Sequence, residues 1–202
     1  MLKLMIACVL CISLAGCGGS GKGSSDDPQT IGEAMKLSSD ITSYEFNSEY
    51  FVYVFNYKGA PTRIYGKISS DVFDQLNKTM ENGGDIAAVA DCLSDVKIEK
   101  MEDLNSIAPS QADLDAYKGK TGQDLVNDGF TVDGYASGDD NEPVFFMTKD
   151  EFEYNVTFEE TIEIPDDTSD FDYASEVIPL TVKKIERTGI SWMATSIDHI
   201  EK

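Results

Sequence analysis

The chain is short of the residues that carry most protein chemistry. Among its 202 residues there is one histidine, His199, and one tryptophan, Trp192. A lone histidine near the C-terminus excludes a histidine-based catalytic triad and a multi-histidine zinc site. Of four cysteines, Cys8 and Cys11 lie in an apolar N-terminal run, which leaves Cys17 and Cys92. That is too few for a disulfide scaffold, and Cys92 reads as a small apolar residue. Bases are scarce: 16 lysines and arginines stand against 37 acids, a net charge of −21. Such a surface repels nucleic acid and anionic headgroups, so no nucleic-acid partner is expected, whereas cations or a basic protein surface suit it. Long apolar runs are also missing. The mostly apolar, uncharged stretch Leu4 to Ala15 is far below the roughly 18–20 residues a spanning helix needs.

That stretch follows Lys3 and ends in Leu14-Ala15-Gly16-Cys17. Positive start, short apolar centre and small residues before a cysteine resemble the signal segment of bacterial lipoprotein precursors. The resemblance implies removal of residues 1–16 and diacylation of Cys17, which becomes the mature N-terminus. Two acyl chains suffice for stable anchoring, here at the extracytoplasmic face of the cell membrane. Gly18 in place of aspartate implies, in a two-membrane bacterium, no retention at the inner membrane. The alternative is an ordinary signal peptide with Cys17 unmodified. Residues 17–30, rich in glycine, serine and aspartate, form a tether with a reach of roughly 20 Å. Residues 31–202 are long enough for one domain with its own core.

Patterning within 31–202 predicts an α+β fold, a largely antiparallel sheet with several short helices packed on it. Tyr44 to Tyr57 reads as one strand, apolar on both faces, either covered on both sides or leaving one aromatic face for a partner. Lys58-Gly59-Ala60-Pro61 turns it into a second strand, Thr62 to Ile68. Ser69 and Asp85 are placed to cap two helices, and Val96 to Met101 reads as a strand. Ser110 and Thr121 open capping boxes with aspartate at the third helical position. Phe130 to Tyr135 and Val144 to Thr148 follow as strands. In Phe152 to Glu159, Phe152, Tyr154, Val156 and Phe158 alternate with polar residues, the pattern of a half-buried strand. Val177 to Glu186 closes the series, with a bulge expected near Lys183-Lys184.

Two resemblances run along the chain. Val96-Lys97-Ile98-Glu99-Lys100 is similar to Val182-Lys183-Lys184-Ile185-Glu186-Arg187, and each follows an aromatic-rich strand, a hint of internal duplication. Tyr117 to Phe158 is a short helix feeding strands. It resembles in part the modules associated with penicillin-binding proteins and serine/threonine kinases, and the helix-then-strands units of small envelope lipoproteins. No functional residue carries over from either family.

Carboxylates are the one abundant chemical group. Asp133 to Glu176 holds 15 acids against a single base, Lys149. Asp166, Asp167, Asp170 and Asp172 form the candidate metal site, since oxygen-rich loops suit calcium. Counted from Asp166 as an EF-hand loop, however, Phe171 stands where glycine belongs and Val177 where glutamate belongs. The alternative is a solvated acidic loop. Gly119-Lys120-Thr121 lacks the upstream glycine and spacing of a phosphate-binding loop. The favoured expectation is a non-catalytic lipoprotein, without cofactor, whose domain serves protein interaction or envelope assembly. A solute- or cation-binding lipoprotein is the alternative.

Overall fold

The computed structural model describes residues 27–38, 41–137, 142–162 and 172–197, and of residues 41, 42 and 137 the backbone alone. Its contacts cluster into two compact units, residues 1–106 with 195–202 and residues 107–194. Each unit holds its own four-stranded antiparallel sheet, with the strands in chain order. The expected α+β class holds, its antiparallel strands forming two four-stranded sheets with several short helices.

Unit 1 opens with α1 (Ile31–Leu37), which the sequence reading passes over. Its capping box was legible: Thr30 Oγ1 accepts from Glu33 N–H at 3.2 Å, and Glu33 Oε2 accepts from Thr30 N–H at 3.2 Å. The strand expected over 44–57 is two strands, β1 (Ile41–Phe46) and β2 (Tyr50–Tyr57). Asn47 separates them, its side-chain oxygen accepting the N–H groups of Glu49 and Tyr50 at 2.8 Å each. Lys58-Gly59, both at positive φ, turn β2 into β3 (Ala60–Lys67). Then come α2 (Ser70–Glu81) and α3 (Ile86–Cys92), capped by Ser69 and Asp85 as expected. β4 (Lys100–Asp103) starts later than the expected Val96 and leads into α4 (Leu104–Ile107). One core joins Phe51, Tyr53, Phe55 and Ile64 of the sheet to Ile31, Met35, Leu76, Val89 and Leu93 of the helices. Val52 and Val54, on the other sheet face, are buried as well, so β2 presents no free aromatic face.

Unit 2 runs α5 (Gln111–Asp115), α6 (Gly122–Asn127), β5 (Thr131–Ser137), β6 (Pro143–Lys149), β7 (Phe152–Phe158), α7 (Tyr173–Val177) and β8 (Val182–Ile190). Both aspartate capping boxes form as expected. β7 alternates as its sequence predicts, with Phe152, Tyr154, Val156 and Phe158 all buried. β8 begins five residues after the expected Val177, because that valine ends α7. The bulge expected near Lys183 is present: Thr157 pairs with Lys184 and Phe158 with Val182, leaving Lys183 extra.

The two units repeat one pattern: capped helix, three-stranded meander, further helix, fourth strand. The details coincide residue by residue. In β1, Ile41 pairs with Phe55 and Ser43 with Val54, so Thr42 is a bulge. In β5, Val132 pairs with Met147 and Gly134 with Phe146, so Asp133 is a bulge at the same place. The β2–β3 and β6–β7 turns each place their first residue, Lys58 and Asp150, at φ 52°. Thr30 and Thr121, the two helix caps, each form an isolated antiparallel bridge with the chain just before the last strand, at Lys97 and Thr181. These pairings align Ile98 with Val182, three residues away from the register that sequence similarity alone suggests. Structural equivalence thus places Ile98-Glu99-Lys100-Met101-Glu102 on Val182-Lys183-Lys184-Ile185-Glu186. Bulges and left-handed turn residues are costly local features, and their recurrence at matched positions indicates duplication.

Candidate functional site

Unit 2 carries an open cleft of about 300 Å3 between α5 and the β6–β7 turn. The Ser110–Asp113 capping box fixes the start of α5 and points Leu114 inward, where it is buried. Tyr117 follows, its hydroxyl donating to Asp128 Oδ2 at 2.6 Å. After α6, Gly129 at φ 92° reverses the chain and delivers Phe130, whose N–H donates to the Leu125 carbonyl at 3.0 Å. The Phe130 ring meets Tyr117 edge-on at 5.4 Å and Tyr154 at 5.1 Å between centroids. Lys149 Nζ lies 5.0 Å from the Phe130 centroid. Ile107 and Pro109 complete the helical wall, and Asp150, Glu151 and Phe152 the turn side.

Tyr154 is 2 % exposed as a whole residue, and its side chain lines the cleft, with no hydrogen bond from its hydroxyl to any described residue. Burial, then the nearby charge of Asp150, raises its phenol to about 12, so the hydroxyl stays protonated and able to donate. Tyr117 is likewise pushed up to about 12, first by burial and then by its bond to the Asp128 carboxylate. Lys149 faces the ring of Phe130 without an ion-pair partner among the described residues. The cleft thus offers a phenol donor and an ammonium donor beside an apolar wall.

Of the residues singled out in the sequence, the described ones Asp172, Glu142 and Cys92 are not part of the cleft. Cys17, Asp166, Asp167 and Asp170 lie outside the described residues, as do Asp139, Asp140 and His199. Asp172 is described: it caps α7, accepting from Ser175 N–H at 3.2 Å and Ser175 Oγ at 2.6 Å. Those two bonds hold its carboxyl below the ordinary value of 3.8. Glu142 pairs with Lys183 at 2.7 Å. Among the described residues no three of His, Cys, Asp or Glu are grouped to hold a metal ion. Cys92 is a free thiol, half-buried at the end of α3, with its sulfur 3.5 Å from the Thr79 hydroxyl. Tyr117, Phe130, Lys149, Asp150 and Tyr154 were missed as a group. Tyr154 reads as core filling from its strand pattern, and the one available signal was Lys149, the single base in the acidic segment.

No helix among the described residues is long and apolar enough to cross a membrane. No protein-family model matches the chain, no curated protein matches it, and no solved structure matches its fold.

Proposed function

We propose that the protein is a lipid-anchored extracytoplasmic lipoprotein that binds a partner protein through the unit-2 cleft without transforming it. The observation that carries this reading is the open cleft walled by aliphatic and aromatic side chains, with the Tyr154 hydroxyl, protonated and without a hydrogen bond to any described residue, among its lining. A ligand that supplies an acceptor there takes the place of water, and the hydrogen bond adds orientation to the apolar contact. Ile107, 43 % exposed on the same wall, offers apolar surface to the same ligand. The Cys17 anchor and tether would hold this cleft within reach of other envelope proteins.

A photo-crosslinking residue at Ile107 in intact cells tests this. Discrete adducts with a protein are expected from Ile107 and not from Leu37, which is exposed on α1 of unit 1. Equal labelling from both sites, or none from Ile107, sinks the reading.

A further inference from the structure

The duplication supplies an internal template for what the unit-2 cleft receives. In unit 1, Lys58 at the first turn position meets Asp27, from the segment leading into α1, with Nζ–Oδ1 2.6 Å. The Tyr57 hydroxyl donates to the same oxygen at 2.8 Å. Unit 1 therefore clasps an extended stretch of its own chain at the tip of its β2–β3 hairpin, through a cation on the turn and an anion on the stretch.

In unit 2 the charge on the turn is inverted. Asp150 stands where Lys58 stands, at the same φ of 52°. Counting back from the equivalent caps Thr30 and Thr121, the residue matching Asp27 is Lys118, which pairs instead with Asp115 at 2.9 Å. No described residue forms an ion pair or hydrogen bond with Asp150. Of the other cleft acids, Asp113 accepts from Ser110 within the α5 capping box, and Glu151 has a partner of its own. Asp150 is thus the carboxylate left for a ligand, beside the Tyr154 hydroxyl and the apolar wall, while the Lys149 ammonium of the same cleft is engaged over the Phe130 ring.

We propose that the cleft docks an extended segment of a partner protein that sets a lysine or arginine against Asp150 and an apolar side chain among Ile107, Leu114 and Phe152. A backbone carbonyl of that segment accepts from the Tyr154 hydroxyl. The net charge of −21 steers a basic segment toward the chain. The proposal rests on the reading that the cleft is a docking site and adds the chemistry of the occupant.

The test uses the full chain in a neutral detergent and three end-blocked, fluorescently labelled peptides read by anisotropy. One alternates lysine and leucine, one glutamate and leucine, one lysine and serine. The lysine–leucine peptide should bind best. Asp150→Lys should weaken it about fivefold or more, the scale of one exposed ion pair, and improve the glutamate–leucine peptide. That variant is compatible with the fold, because Lys58 already occupies the equivalent position at the same φ. Tyr154→Phe should weaken the lysine–leucine peptide and leave thermal stability intact. Asp95→Lys, the same charge change at an exposed site of unit 1, should alter binding far less. Equal losses from Asp150→Lys and Asp95→Lys, preference for the glutamate or serine peptide, or no saturable binding of any peptide overturns the proposal. Crosslinking from Ile107 together with any of those results would leave a docking cleft whose partner is not basic.

Discussion

Thr30 and Thr121 hold the same place in two separate units: each caps a helix, and each bridges to the chain just ahead of its unit's last strand. The flanking bonds match as well. Ile31 N–H donates to the Val96 carbonyl and Gly122 N–H to Leu180, both at 2.8 Å; Ile98 N–H donates to Gln29 at 3.1 Å and Val182 N–H to Lys120 at 2.8 Å. Such agreement in hydrogen bonding, bulge and turn is hard to reach by independent routes.

The joint is tight, and that sets the first prediction. A Cβ on Gly32 would overlap the Ala90 carbonyl oxygen, and one on Gly122 the Val177 carbonyl oxygen, both backbone atoms that cannot swing away. Gly32→Ala and Gly122→Ala should each be more damaging than Thr30→Ala or Thr121→Ala, which forfeit one cap at about 1 kcal/mol. Urea melts of the four variants rank them. Glycine variants no worse than the threonine variants would show that the joint yields.

β7 gives a sharper test of strand phase. Val156 is fully buried and Thr157 is half-buried on the opposite face. Val156→Asp should be severely destabilising, by several kcal/mol for an unpaired buried charge. Thr157→Asp should cost much less. Thermal melts compare them, and equal losses would reverse the assigned phase.

Legibility in the sequence followed locality. Thr121, Ser110, Ser69 and Asp85 announced their helices because a cap needs only residues three apart. β7 was clear because its period of two is unbroken over seven residues. α1 was readable in principle from Thr30 and Glu33. The duplication was glimpsed in the lysine- and glutamate-rich last strands but placed three residues out of register. Only strand pairing fixes the equivalence of Tyr44 with Tyr135, or of Tyr53 with Phe145, since these pairs share size and burial with little sequence pattern around them. The cleft was hidden for a related reason. Tyr154 alternates like any core residue, and nothing local shows that its side chain lines a cleft.

Arg63 and Glu102 face each other across β3 and β4, with Nη2–Oε2 2.6 Å, and Lys100 adds a contact to Oε1 at 3.1 Å. Burial pushes the Glu102 carboxyl up, but the bonds from Arg63 and Lys100 outweigh it and leave the pKa below 4.5. A depressed folded pKa means stability that is present above the unfolded value and lost as pH falls through the folded one. Glu102→Gln should therefore cost roughly 2–3 kcal/mol near neutrality and converge on the wild type in acid. Urea midpoints across that range measure it. A pH-independent gap would assign the loss to packing.

Asp133 and Glu153 shift the opposite way. Burial raises both, from 3.8 and 4.5, and Glu153 is raised further by the charge of Asp133. Here the native state holds its protons more tightly, so the contribution is full below the unfolded pKa and is lost as pH rises through the folded values. Glu153→Gln should raise the melting temperature at neutral pH and leave it unchanged in acid, an effect kept small by solvent screening. A gain of equal size at both pH values would mean that the carboxylate pair is not its source.

The anchor is testable apart from the fold. If Cys17 carries the acyl chains, it supplies the membrane affinity, because a chain of net charge −21 is repelled by anionic headgroups. Cys17→Ala should move the protein from the detergent phase to the aqueous phase on partitioning, and from membrane to soluble fraction on cell lysis. Thermal stability of the two forms should be the same within about 0.5 kcal/mol, since a glycine- and serine-rich stretch separates Cys17 from Asp27, the first bonded residue among those described. Variants carrying Cys17→Ala together with Ile107 crosslinking would then separate two dependencies. Loss of adducts on release from the membrane would place the partner at the envelope surface and make the anchor part of its capture. Adducts at undiminished yield would show that the cleft alone finds its partner. Retention of Cys17→Ala in the membrane fraction would remove the lipid anchor from the proposed function and leave the cleft to be judged by itself.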